Sequence, residues 1–132
     1  MLESLIAAAR EAQKLAYAPY SEYKVGAAIL TNSGKVFSGS NVENASYGAT
    51  ICAERAAIAN MIMGGERNIR ALAVVTEDNG FPCGICLQTI NEFTSDPKMC
   101  EIVVPSKSGF QIRTLQELAP YLWRSNLVKK TK

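Results

Sequence analysis

Three of the four cysteines stand at two points of the chain, Cys52 and the pair Cys83 and Cys86. Both points are predicted helix starts, and each helix follows a predicted strand. A layered fold can therefore aim the two first turns at one spot above the sheet edge, and thiolates gathered there can hold a metal ion. Cys83 and Cys86 form a C-x-x-C knuckle directly behind Pro82, and Cys52 falls in the first turn of the earlier helix. This convergence constrains the fold more than any other feature of the sequence.

The rest of the pattern agrees with a layered α/β domain. Apolar residues at helical spacing (Leu2, Leu5, Ile6, Ala9, Ala12, Leu15) predict an amphipathic helix over 2–16, ended by Ala18-Pro19-Tyr20-Ser21. Residues 23–30 and 35–41 read as a strand pair around the turn Asn32-Ser33-Gly34. Helices follow over 50–63, stopped by Gly64-Gly65, and over 82–93. Strands are expected at 71–76 and 101–105, and a last short helix at 114–118, broken near Pro120. The alternation of strands and helices is that of an α/β fold, and the opening hairpin makes the sheet mixed. Residues 1–132 are read as a single domain, a length that supports one core but not two.

The chain contains no histidine, which excludes Ser-His-Asp and Cys-His catalysis. Acid–base chemistry near neutral pH must come from a tuned Glu, Asp, Lys, Cys or Tyr. Net charge is +2 and the basic residues are scattered, except for a tail of Lys129, Lys130 and Lys132 that reads as a solvated terminus. With no basic stripe, no nucleic-acid partner is expected. No apolar run is long enough to span a membrane. Met1-Leu2-Glu3-Ser4 has no basic stretch ahead of its apolar residues, so no signal peptide is expected and the cytoplasm is the expected location.

A lone C-x-x-C can be a redox pair, half of a structural zinc site, or chance. Its company narrows the choice, because Glu54 lies two residues after Cys52 and Pro82 stands before Cys83. H-x-E with P-C-x-x-C marks zinc deaminases, and three cysteines can replace the histidine-containing ligand set. A catalytic zinc keeps three protein ligands and one position for water, whose pKa it lowers. Glu54 is placed to reach that water without ligating the metal. Three thiolates on Zn²⁺ leave a net negative charge, which helix N-termini and the neighbouring Arg55 can offset. Other readings remain: buried free cysteines, a disulfide framework, or a closed structural zinc site with Cys100 as fourth ligand.

With these elements in hand, the sequence resembles the small, homotetrameric, zinc-dependent cytidine deaminases along nearly its whole length. The resemblance rests on Ala18-Pro19-Tyr20-Ser21-Glu22-Tyr23-Lys24-Val25-Gly26-Ala27-Ala28, on Gly39 to Gly48, on Thr50-Ile51-Cys52-Ala53-Glu54-Arg55-Ala56-Ala57-Ile58, on Pro82-Cys83-Gly84-Ile85-Cys86 with Gln88, Glu92 and Phe93, and on Leu115 to Pro120. It implies a three-layer α/β/α sandwich around a mixed, roughly five-stranded sheet. It also implies one Zn²⁺ per subunit held by Cys52, Cys83 and Cys86, with Glu54 as proton shuttle; Arg55 is expected to tune the metal on the charge argument above, not on the resemblance. The expected reaction is hydrolytic deamination of cytidine and deoxycytidine to uridine and deoxyuridine, with water attacking C4 of the base, as in pyrimidine salvage.

The same resemblance assigns the ribose hydroxyls to Asn41 and Glu43 and the base carbonyl to the backbone N–H of Ala53. Tyr23 would flank the base. Ala45, Tyr47 and Trp123 would serve active sites shared between subunits of a homotetramer. Leu87 stands where the family usually has Arg, and Tyr23 where it usually has Phe. These departures leave room for a modified or antibiotic aminopyrimidine nucleoside, blasticidin-like or N4-substituted cytidine. A deaminase editing RNA or DNA, and a zinc-stabilised module without catalysis, are the other readings considered.

Overall fold

The computed structural model describes residues 1–125; the lysine tail from Lys129 lies outside the described residues. The elements are α1 (Leu2–Lys14), β1 (Gly26–Thr31), β2 (Val36–Ser40), a single 3-10 turn (Tyr47–Ala49), α2 (Ala53–Met63), β3 (Ile69–Val75), α3 (Gly84–Glu92), β4 (Glu101–Ser106), β5 (Gly109–Thr114) and α4 (Leu115–Leu118). The five strands form one sheet in the order β2-β1-β3-β4-β5. Only β3 and β4 pair in parallel; the other neighbours are antiparallel, so the sheet is mixed as expected.

Alternation along the strands explains the three layers. Ala28 and Leu30 of β1 and Ala71, Ala73 and Val75 of β3 face one way, where Leu5, Ile6 and Ala9 of α1 cover them. Ala27, Ile29, Leu72, Val74, Ile102 and Val104 face the other way, under Ala57, Ile58 and Met61 of α2 and Ile90 of α3. With both faces covered, every residue of β1 is buried, which is why its sequence reads as a continuous apolar run. Each large aliphatic side chain so buried contributes roughly 1.5–3 kcal/mol.

Most element boundaries shift by one to three residues from expectation, and one strand is new. β1 begins at Gly26, because the Val25 N–H donates to the side chain of Asn41 (2.9 Å) rather than to a neighbouring strand. α2 begins at Ala53, because Ile51 first makes an antiparallel bridge to Val42, leaving Cys52 extended at the N-cap. β5 was not among the strands read from the sequence. Its alternation Phe110-Gln111-Ile112-Arg113 is that of a half-covered edge strand, and Phe110 and Ile112 pack toward the α1 side.

One contact fixes where α2 sits. A Cβ on Gly39 of β2 would lie 2.4 Å from the Ala57 backbone nitrogen and 2.9 Å from the Ala53 carbonyl oxygen. Only glycine lets the helix that starts at Cys52 lie this close to the sheet.

Candidate active site

Helix capping gathers the cysteines. Cys52 is the N-cap of α2, and Cys83 is the N-cap of α3, with Cys86 in the first turn of α3. Both N-cap residues are extended (ψ 152 and 172), and neither side chain caps its own helix, so both sulfurs are free to point elsewhere. The three Sγ atoms lie within 4.8 Å of one another, and Cys83 and Cys86 are 3.6 Å apart. Four ligands at ~2.3 Å in a tetrahedron stand about 3.8 Å from each other, so this spacing fits zinc. Two helix N-termini converge on the sulfurs, and their partial positive charge favours thiolates. The expected placement of Cys52 inside the first turn is corrected by one position, to the N-cap.

Cys100 takes no part. It is buried in the core beneath the sheet, outside the three-sulfur cluster, and burial raises its thiol to about 11. A closed four-cysteine site is therefore not formed among the described residues.

Arg55 follows Glu54 on α2 and turns back toward the cluster. One guanidinium nitrogen donates to the Thr50 carbonyl (3.2 Å) and to Cys52 Sγ (3.7 Å). Its Nε is buried without a partner. The Cys52 thiol is held down, to about 5, first by a hydrogen bond from Cys86 and then by the Arg55 hydrogen bond and charge. Cys86 is pushed up by the same thiol pairing and by burial. The structure thus places the Arg55 cation against one sulfur of the cluster, that of Cys52.

Beside the cluster lies a cavity of about 280 Å³, lined by Tyr23, Val25, Asn41, Thr50, Ile51, Cys52, Ala53, Glu54, Val74, Thr76, Phe81 and Cys83. Small-molecule pockets run from about 300 Å³ upward, so the space suits a small ligand. Glu54 is 5% exposed, and burial is the main reason its carboxyl is raised above the usual range. A raised carboxyl in a mostly apolar pocket is what a group that both accepts and delivers protons needs. Ala53 is the first residue of α2, so its N–H is one of the helix donors without an intrahelical acceptor.

The proposed substrate residues separate into two sets. Tyr23, Asn41 and Ala53 line the cavity with Glu54. Asn41 is buried and clasps the chain before β1, accepting from the Val25 N–H and donating to the Tyr23 carbonyl, both at 2.9 Å. Its amide keeps one further donor and one further acceptor site. The Tyr23 hydroxyl donates to Asp78 at 2.6 Å, and burial and Asp78 both raise its pKa.

Glu43, Ala45, Tyr47 and Trp123 do not line the cavity of this chain. Glu43 accepts from the Tyr20 and Ser21 N–H groups (3.0 and 3.1 Å) and from the Ser21 hydroxyl, which hold it below the usual carboxylate range. Ala45 and Tyr47 are exposed. The Trp123 carbonyl accepts from Gln88 (2.9 Å) and Asn91 (3.3 Å), while the residue remains largely exposed. Leu87 packs against the core on the α2–α3 side.

Sequence reasoning missed Thr50, Thr76 and Phe81 as lining residues. Thr50 and Phe81 flank the two cysteine motifs, a signal that could have marked them. Thr76 comes to the cavity from the end of β3, and no spacing in the sequence announces it.

Comparison with known proteins agrees with this geometry. Residues 1–101 match the family described as the cytidine and deoxycytidylate deaminase zinc-binding region. The chain is 39% identical to a probable cytidine deaminase of Dictyostelium discoideum, over 98% of this chain and 88% of that protein. It is 40% identical to a cytidine deaminase of Sporosarcina psychrophila, over 90% of this chain and 88% of that protein. A solved cytidine deaminase structure from Burkholderia pseudomallei superposes with a TM-score of 0.84 at 43% identity, covering 93% of this chain and 99% of that one. With the three-sulfur cluster, the buried carboxylate and these similarities together, the chain belongs to the cytidine and deoxycytidylate deaminase zinc-binding family.

Proposed function

We propose that the chain is a zinc-dependent cytidine deaminase, converting cytidine and deoxycytidine to uridine and deoxyuridine with release of ammonia, a reaction of pyrimidine salvage. The observation that carries this reading is Glu54, buried and raised in pKa, beside three convergent cysteine sulfurs at a cavity of about 280 Å³.

Cys52, Cys83 and Cys86 would hold the metal. Zinc, when bound, supplies a Lewis acid that makes water nucleophilic at neutral pH. The chain's own residues do the rest. Glu54 takes one proton from the attacking water and delivers it to the ring nitrogen as the C4–O bond forms, then takes the second from the C4 hydroxyl and delivers it to the amine as the C4–N bond breaks and ammonia leaves. Burial keeps its acid and base forms both accessible, so one carboxyl serves each transfer. The Ala53 N–H donates to the base carbonyl and fixes which face of the ring meets the water. Tyr23 packs beside the base, and the free half of the Asn41 amide reads a ribose hydroxyl. Glu43 contributes to the ribose by exchanging one of its backbone donors for a sugar hydroxyl. Arg55 offsets the thiolate charge so that the metal remains electrophilic.

The active form is a homotetramer, in which Tyr47, Ala45 and Trp123 of one subunit serve a neighbour's cavity. The large exposure of Tyr47 (84%) and Trp123 (73%) supports that reading, because aromatic side chains this open are suited to burial against a partner. Among the described residues, no helix is long and apolar enough to cross a membrane. The thiol cluster is best kept reduced, which favours the cytoplasm.

The test is the ultraviolet absorbance change of cytidine incubated with zinc-loaded protein beside a chelated sample. Rapid conversion in the loaded sample alone is the expected outcome. Zinc-loaded protein that leaves cytidine unchanged would sink the reading.

A further inference from the structure

Two lining residues, Tyr23 and Thr76, are tied together through Asp78, which does not itself line the cavity and has no role in the chemistry above. Tyr23 is anchored at both ends: its backbone carbonyl accepts from Asn41, and its ring hydroxyl donates to Asp78 Oδ1 at 2.6 Å, across 55 residues of sequence. Asp78 Oδ1 also accepts from the Thr76 hydroxyl (2.9 Å), and Thr76 Oγ1 accepts from the Gly80 N–H (2.9 Å). Asn79, inside this turn, has φ 58, a left-handed conformation that asparagine adopts more readily than most residues. Phe81, which lines the cavity, and Cys83 follow immediately.

Resting on the cytidine deaminase reading, we propose that Tyr23 and Asp78 form a specificity-determining clasp, which fixes the separation of the Tyr23 and Phe81 rings and restricts the cavity to pyrimidine nucleosides without bulky substituents on the base. The Tyr23 hydroxyl is committed to Asp78, so it acts by position and touches no reacting atom. Phenylalanine would keep the ring but leave the 76–80 turn tied only to itself. The bond lies at an exposed carboxylate where water competes, so its loss moves affinity by about threefold to tenfold rather than by orders of magnitude.

The experiment compares cytidine with cytidine carrying a bulky group at C5, using zinc-loaded wild type, Y23F, D78A, D78N and the double variant Y23F/D78A. Zinc content is measured on each protein. Expected is a loss of preference for cytidine of about threefold to tenfold in Y23F and in D78A, expressed in KM. The double variant should lose no more than either single one, since both break the same bond. D78N keeps an acceptor oxygen and should recover most of the preference. The clasp is overturned if Y23F keeps the wild-type preference, if D78N falls as far as D78A, or if both substrates lose kcat equally at unchanged KM. A wild type that turns over neither substrate counts against the activity reading instead. The clasp is then judged by calorimetric affinity of the same variants for uridine and its C5-substituted analogue, with the same expected ratios.

Discussion

Glu54 combines two properties rarely found together: it is a carboxylate and it is almost wholly buried. Replacing it with glutamine keeps the shape and removes the proton. We expect E54Q to retain zinc while kcat for cytidine falls by about 10²- to 10⁴-fold or more, measured as turnover against metal content. An E54Q protein with full turnover would end the proton-shuttle assignment. The cysteines separate as sharply. Cys100 is 1% exposed, and its thiol is raised to about 11, so almost none is thiolate at neutral pH. Cys83 is exposed. In chelated protein, an alkylating reagent should label Cys83 while Cys100 stays unlabelled until the chain is unfolded, as read by peptide mass. Early labelling of Cys100 would contradict its placement.

At the scale of elements, the site depends on how near α2 comes to the sheet. The atoms a Gly39 side chain would meet are backbone atoms of Ala53, Ala56 and Ala57, which cannot swing aside. G39A should therefore cost about 1–3 kcal/mol, and because α2 carries Cys52 and Glu54, zinc affinity should fall with stability. Denaturant melts and a competitive zinc titration measure the two effects. A G39A protein with unchanged midpoint would show that α2 can shift freely. The C-terminal end has its own local device. Thr114 accepts from the Glu117 N–H while Glu117 accepts from the Thr114 N–H, a complete capping box that starts the four-residue α4. The helix was expected at 114–118 without this box, although Thr-x-x-Glu is the pattern such a box requires. β5 was missed although it alternates cleanly; it leaves a two-residue turn and runs straight into α4, so no turn residues mark its far end.

For the whole molecule, metal and assembly carry the expectations. Zinc held by residues from two helices binds the folded chain and not the unfolded one, so chelation should lower the melting temperature. C83A and C86A should show the lowered value with or without added zinc; a metal-dependent rise in either would mean the ligand set is wrong. Sedimentation should give a tetramer, and W123A should weaken it together with activity. A fully active monomer would remove Trp123, Tyr47 and Ala45 from the site.

The order of motifs along the chain determined the family resemblance, the candidate metal ligands and the candidate carboxylate, because zinc chemistry demands particular residue types at short spacings and those survive as text. The alternation of apolar runs determined the layered fold for the same reason: burial on two faces dictates which residues a strand can use. Other facts depend on distances between segments far apart in sequence. Nothing in the spacing told that Asn41 would spend half its amide on Tyr23 and Val25, that Glu43 would gather three donors from the Tyr20–Ser21 turn, or that Thr76 and Phe81 would wall the cavity. The bond from Tyr23 to Asp78 exists only because the segment before β1 and the turn after β3 end at the same edge of the sheet. Side-chain partners of that kind are selected by the folded geometry, since a hydroxyl or amide can satisfy itself with many groups and takes the one that packing places within reach.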